Sequence, residues 1–159
     1  MRLILMGIGG NLYATKTSVV NLAGGVIKDG QSSGGGGNIY MASGTTLSID
    51  EDNAETLIDG GVALRGGNIM LAGAGATMDA GDIVSGKAFG TASSDGGANI
   101  YLDSSASFTM NQDEGKRSLI RGGFSTLTNY GGNVHNYGTF TMNNGRIDRG
   151  VMATQGSGG

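Results

Sequence analysis

The chain contains no cysteine, no proline and no tryptophan, and only 14% of its 159 residues are charged. Without cysteine there is no disulfide framework and no thiolate metal site, and neither an oxidising nor a reducing compartment is favoured. A single histidine, His135, excludes a histidine-rich metal site and leaves one imidazole as a general base. Ten basic residues against 13 acidic ones give a net charge of −3. No basic block among them could neutralise a run of phosphates, so nucleic acid is not an expected partner. Long apolar runs are also missing. The opening Met1-Arg2-Leu3-Ile4-Leu5-Met6 is broken at Gly7, too short for a signal-peptide core or a membrane span, and no membrane insertion is expected.

Glycine is abundant, at 33 residues, and each glycine costs a helix roughly 1 kcal/mol relative to alanine. Strands and turns are therefore expected. The glycines follow no Gly-X-Y period, which excludes collagen, and an apolar content of 38% with regular spacing argues against a flexible linker.

That spacing is a repeat. Gly-Gly-Asn, or Gly-Ala-Asn in the fourth copy, precedes an apolar alternation at Asn11-Leu-Tyr-Ala, Asn38-Ile-Tyr-Met, Asn68-Ile-Met-Leu, Asn99-Ile-Tyr-Leu and Asn133-Val-His-Asn. The intervals are 27, 30, 31 and 34 residues. A second segment follows each asparagine: Val20-Asn21-Leu22, Leu47-Ser48-Ile49, Ala76-Thr77-Met78, Phe108-Thr109-Met110 and Phe140-Thr141-Met142. A third is read at Gly25–Lys28, Gly61–Leu64, Asp82–Val84, Gly123–Thr126 and Gly150–Ala153.

Period-2 alternation sends Ile39, Ile69 and Ile100 to one side and Tyr40, Met70 and Tyr101 to the other. The repeat predicts an all-β parallel β-solenoid of about five three-stranded coils, about 30 residues per coil, in one domain over 1–159. An antiparallel sandwich would not need the same cassette at the same place in every copy. Glycine pairs fit the corners, where positive φ is often required.

Two segments carry a family resemblance: Gly132-Asn133-Val134-His135-Asn136-Tyr137-Gly138-Thr139-Phe140-Thr141-Met142-Asn143-Asn144-Gly145-Arg146-Ile147 and Gly37-Asn38-Ile39-Tyr40-Met41-Ala42-Ser43-Gly44-Thr45-Thr46-Leu47-Ser48-Ile49. Both resemble the repeats of right-handed parallel β-helix surface proteins of anaerobic, gut-type bacteria, which are similar to autotransporter and polymorphic membrane protein passengers. The resemblance covers residues 9–155 and implies a right-handed coil. It also implies an extracellular or cell-surface location and an adhesin-like role, with glycans or cell-surface proteins as partners.

The recurring Asn11, Asn38, Asn68, Asn99 and Asn133 are read as a structural amide ladder in preference to a polar binding site, because identical amides one coil apart can hydrogen-bond along the column. Tyr13, Tyr40, Met70, Tyr101 and His135 occupy the outward position two residues later and form a stripe that could stack on sugars or on a neighbouring solenoid.

Asp52, Asp82 and Asp113 each lie fourteen residues after their asparagine and form a candidate calcium corner. Calcium needs six to eight oxygens, however, and no EF-hand or nonapeptide repeat is present. A solvated acidic turn is preferred, and no metal or other cofactor is expected. Gly81–Ala88 mimics a phosphate loop but has Ala88 where a Ser or Thr would hold magnesium.

Asp103, Asp113, Glu114, Lys116 and Arg117 are the one local set of the kind that β-helix polysaccharide lyases and hydrolases use. The expectation is nonetheless a structural subunit without enzymatic activity. A solenoid end is an unpaired edge, and the chain has no proline or amphipathic helix pattern to block it. Head-to-tail pairing with copies of itself is therefore expected, with Leu3, Ile4, Leu5 and Met6 completing the coil of a preceding subunit.

Overall fold

The computed structural model describes residues 7–52, 54–126 and 130–153. The first coil holds β1 (Leu12–Ala14), β2 (Val19–Leu22) and β3 (Gly25–Lys28), and the second β4 (Ile39–Met41), β5 (Thr46–Ile49), β6 (Thr56–Asp59) and β7 (Val62–Ala63). The third holds β8 (Ile69–Leu71), β9 (Gly75–Met78), β10 (Gly81–Val84) and β11 (Lys87–Ala88), and the fourth β12 (Ile100–Leu102), β13 (Ser107–Met110), β14 (Ser118–Arg121) and β15 (Phe124–Ser125). The fifth holds β16 (Val134–Asn136), β17 (Thr139–Met142), β18 (Arg146–Asp148) and β19 (Val151–Met152).

Every named strand pairs in parallel with its equivalent one coil away, which makes the chain a parallel β-solenoid. Four sheets form its faces. Face A stacks β1-β4-β8-β12-β16, face B β2-β5-β9-β13-β17, face C β3-β6-β10-β14-β18 and face D β7-β11-β15-β19. In the first coil, face D is represented only by a bridge from Gln31 to Val62. No helix occurs among the described residues.

The second to fifth coils thus have four strands each where three were expected. The third segment read from the sequence mixes two faces. Gly25–Lys28 and Asp82–Val84 lie on face C, whereas Val62, Phe124 and Val151 lie on face D. The face C strands Thr56–Asp59, Ser118–Arg121 and Arg146–Asp148 were not anticipated.

The register superposes like on like. Leu12, Ile39, Ile69, Ile100 and Val134 form one inward row, and Ile39, Ile69 and Ile100 are fully buried as the alternation predicts. Face C contributes Ile27, Ile58, Ile83, Ile120 and Ile147, five isoleucines in a single row. On face B, Phe108 and Phe140 stack with ring centroids 5.4 Å apart and planes 1° from parallel. No coil could bury these side chains alone, so the core exists only between coils.

The Gly-Gly-Asn cassette has a reason at each position. In the second copy Gly36 has φ of 65°, a left-handed conformation that disfavours any Cβ. A Cβ on the following Gly37 would overlap Gly67 O, which leads into the next coil, and Val62 N of its own. The pair turns the chain into face A and lets the asparagine that follows point inward.

Candidate functional site

The asparagine row is a continuous hydrogen-bonded ladder. Nδ2 of Asn11 donates to Oδ1 of Asn38 at 2.7 Å, Asn38 to Asn68 at 2.7 Å, Asn68 to Asn99 at 2.7 Å and Asn99 to Asn133 at 2.8 Å. The second Nδ2 proton of each goes to a backbone carbonyl at the end of face C: Lys28 O, Asp59 O, Val84 O, Arg121 O or Asp148 O. Oδ1 of Asn38, Asn68, Asn99 and Asn133 also accepts from the backbone N–H of Gly30, Gly61, Gly86 and Gly123, at 2.8–2.9 Å.

An amide side chain has two donors and two acceptor lone pairs, and in Asn38, Asn68 and Asn99 all four are used. The backbone groups also fix which way each amide faces. A glycine N–H must meet oxygen and a face C carbonyl must meet nitrogen, so every amide points the same way along the axis. The ladder therefore has a direction: Oδ1 of Asn11 faces out at one end and an Nδ2 proton of Asn133 at the other. Among the described residues neither has a partner there.

The two end faces differ from the middle of the stack. Beyond the last coil lies an open cavity of about 580 Å³, lined among others by Asn133, Val134, Phe140, Ile147 and Asp148. At the first coil the inward residues Leu12, Val20, Leu22 and Ile27 pack against the core on one side and are only partly buried. Leu3, Ile4, Leu5 and Met6, the expected assembly residues, lie outside the described residues.

The outward row of face A is not the flat exposed stripe that the alternation suggests. Tyr13 is 49% exposed and its ring lies 5.5 Å from that of the half-buried Tyr40, tilted by 32°, but Met70, Tyr101 and His135 are buried. Residues of the connections from face D back to face A cover them. Gly35 lies against the Met70 side chain, the Arg65 guanidinium sits 5.8 Å over the Tyr101 ring, and His135 Nδ1 donates to Asp95 O at 3.1 Å. The rings of Tyr130 and Tyr137 complete the cluster, with centroids 5.5 Å and 4.6 Å from His135. Burial pushes the His135 imidazole below its ordinary value, so it is held neutral.

Beneath this cluster, Arg65 Nε pairs with Asp95 Oδ1 at 2.8 Å, a contact that raises the guanidinium further. In the sequence Arg65 simply precedes the Gly66-Gly67 pair of the repeat. Its partner thirty residues on carries no motif, and the bridge row Gly35–Arg65–Gly96–Tyr130 is what brings the two together.

Asp52, Asp82 and Asp113 are not brought together, and no group of three metal-ligating side chains occurs among the described residues. Asp82 lies in strand β10 and not in a corner, where Arg117 Nε meets its Oδ1 at 2.9 Å. Asp113 pairs with Lys116 at 3.3 Å, and Lys116 also reaches Asp50 at 2.7 Å, past the short corner of the third coil. That hydrogen bond holds the Asp50 carboxyl below its usual range. Asp103 receives the N–H groups of Gly73 and Ser105, both at 3.0 Å. Lys116 and Arg117 of the lyase-like set are thus engaged in ion pairs that tie coils together.

The chain matches no protein-family model, no curated protein and no solved structure.

Proposed function

We propose that the chain is a structural subunit of an extracellular or cell-surface solenoid, extended by docking the last coil of one copy on the first coil of the next, and that it acts without catalysis. The observation that carries this reading is the pair of end faces: an open cavity at one end, where Val134, Phe140 and Ile147 lie beside Asn133 and Asp148, and partly buried Leu12, Val20, Leu22 and Ile27 at the other. Stability in a solenoid comes from interfaces between neighbouring coils, and among the described residues the first and last coils have a neighbouring coil on one side each. Edges of this kind template further pairing. A contact between unlike ends does not close and propagates as a fibre.

Negative-stain microscopy and sedimentation of the 159-residue chain test it. The expected result is concentration-dependent fibres with an axial repeat of about 24 Å per copy, five coils at about 4.8 Å each. A chain that stays monomeric at high concentration overturns it.

A monomeric adhesin module that recognises glycans or cell-surface proteins is the second reading. It is favoured by the exposed Tyr13 beside Tyr40, the part of the aromatic row open to solvent. A monomer that binds a glycan array, and loses that binding on Tyr13→Ala, would replace the first reading with this one.

A further inference from the structure

The two ends of the solenoid are complementary and not merely open. Among the described residues the asparagine ladder ends on an acceptor, Asn11 Oδ1, at the first coil and on a donor, Asn133 Nδ2, at the last, because each internal amide donates toward the later coil. Pairing two first coils would set acceptor against acceptor, and pairing two last coils donor against donor. Only unlike ends continue the chain of amides.

The other rows agree with this direction. Continued by one coil, the face C row Ile27, Ile58, Ile83, Ile120, Ile147 places Ile147 of one copy beside Ile27 of the next. Face B likewise places Phe140 beside Val20, and face A places Val134 beside Leu12. The outer face C row sets Asp148 at one end and Lys28 at the other, opposite charges.

We propose that the amide ladder sets the direction and register of assembly: Asn133 Nδ2 of one copy donates to Asn11 Oδ1 of a second copy, so that copies add head to tail with every row in register. This rests on the end-to-end docking proposed above. The joint repeats the interface already present between successive coils. The same amide-to-amide contact that spans four coil boundaries within the chain would span a fifth between chains.

The chain has no cysteine, which makes directed crosslinking clean. Val19 and Thr139 are exposed and occupy the first and last positions of one outward face B row, Val19–Thr46–Gly75–Ser107–Thr139. Within one copy they lie four coils apart, about 19 Å at the usual strand spacing, too far for a disulfide. Across the proposed joint they would be neighbours at about 4.8 Å, inside the range that a disulfide spans.

The Val19→Cys, Thr139→Cys double variant, oxidised at a concentration where the parent assembles, is expected to give a ladder of disulfide-linked dimers, trimers and longer products. Mixed single variants should give only unlike dimers, and neither single variant alone should crosslink. If Val19→Cys alone, or Thr139→Cys alone, dimerises while fibres persist, the direction is wrong although assembly stands. If fibres persist and the double variant does not crosslink, the register is wrong. If the parent itself sediments as a monomer, the docking reading fails before the direction is reached.

The amide is tested separately by Asn133→Asp, which keeps the acceptors for Asn99 and Gly123 but loses Nδ2, and with it both the bond to Asp148 O within the chain and the donor for a second copy, so its yield is compared at a temperature well below its own melting point. An at least tenfold lower yield of crosslinked product is expected when this change is added to the double variant, with unchanged far-ultraviolet circular dichroism. An unchanged yield removes the amide from the joint.

Discussion

Asn68 Nδ2 donates to Asn99 Oδ1 at 2.7 Å while its second proton holds Val84 O at 2.6 Å. One side chain thereby ties the turn between faces C and D of its own coil to the equivalent amide of the next coil. Successive amides in such a chain polarise one another. That coupling makes the ladder a single directional element and not five separate caps, and it links the repeat in the sequence to the direction proposed for assembly.

Asn68→Ala should destabilise the solenoid by about 2 kcal/mol, because it strands the Gly61 N–H and one Nδ2 proton of Asn38 in a buried site and leaves Asn99 Oδ1 and Val84 O with one donor each, from Gly86 and Gly60. Asn68→Asp should cost more than Asn68→Ala. It keeps the acceptors but turns oxygen toward two oxygens, and it buries a charge without a partner. Urea denaturation measures both. A mild Asn68→Asp relative to Asn68→Ala would mean that the amide does not donate as described.

The register of face A predicts a sharp contrast between two acidic substitutions. Ile69 is fully buried between Ile39 and Ile100, so Ile69→Asp should cost more than about 4 kcal/mol, in the exceptional tail of single-substitution effects. Thr46→Asp, on an exposed outward position of face B, should stay within about 0.5 kcal/mol. Comparable losses in thermal melts of the two variants would show that inward and outward rows are misassigned.

How much of this was legible in the sequence depends on how distinctive each position is. Face A and the amide ladder could be read because asparagine after a glycine pair has one chemistry that no other residue supplies. Faces C and D were confused because each coil offers on both a short strand with little to distinguish it. The corner between faces B and C also varies: two residues, Asp79 and Ala80, in the third coil against residues 50–55 in the second and 111–117 in the fourth. An offset counted from the asparagine therefore lands on different faces, and Asp82 falls in a strand where Asp52 and Asp113 fall in corners. Alternation also told which side Tyr101 and His135 occupy, but not that Arg65, Asp95 and Tyr130 cover them. That cover depends on where connections between coils fold, which has no period.

His135 gives the fold a pH dependence of defined sign. Burial lowers its folded-state pKa below the ordinary imidazole value of 6.5, so the unfolded chain takes up a proton first as pH falls. Stability should be full above the unfolded value, decline as pH falls from there to the lowered folded value, and lose nothing further from this group below it. His135→Tyr installs the residue that Tyr13, Tyr40 and Tyr101 supply in the same row and removes the titration. Between about pH 7 and pH 5 the parent should lose more melting temperature than the variant. Parallel curves would show that the imidazole is not desolvated in the folded state.

Ser118 Oγ is the one buried side-chain oxygen among the described residues with no hydrogen-bond partner. It begins strand β14, in a face C row that also contains Gly81. One coil further along, Thr56 occupies the corresponding start of β6, and there the hydroxyl donates to Asp50 O. The difference lies in the corner before each strand: Asp50 brings its carbonyl to the Thr56 hydroxyl, whereas residues 111–117 offer Ser118 no carbonyl in reach. A buried hydroxyl without a partner costs about 1–3 kcal/mol relative to its hydrated state, whereas alanine in the same space carries no such penalty. Ser118→Ala should therefore raise stability by roughly 1 kcal/mol and melting temperature by roughly 2–4 °C. Thr56→Val, which removes a hydroxyl that is satisfied, should lower stability by about 1 kcal/mol. Opposite signs for two deletions of a hydroxyl from equivalent strand starts are what the corner geometry requires. A loss of stability in Ser118→Ala equal to that in Thr56→Val would mean that Ser118 Oγ has a partner in solution, as Thr56 has in the Asp50 carbonyl.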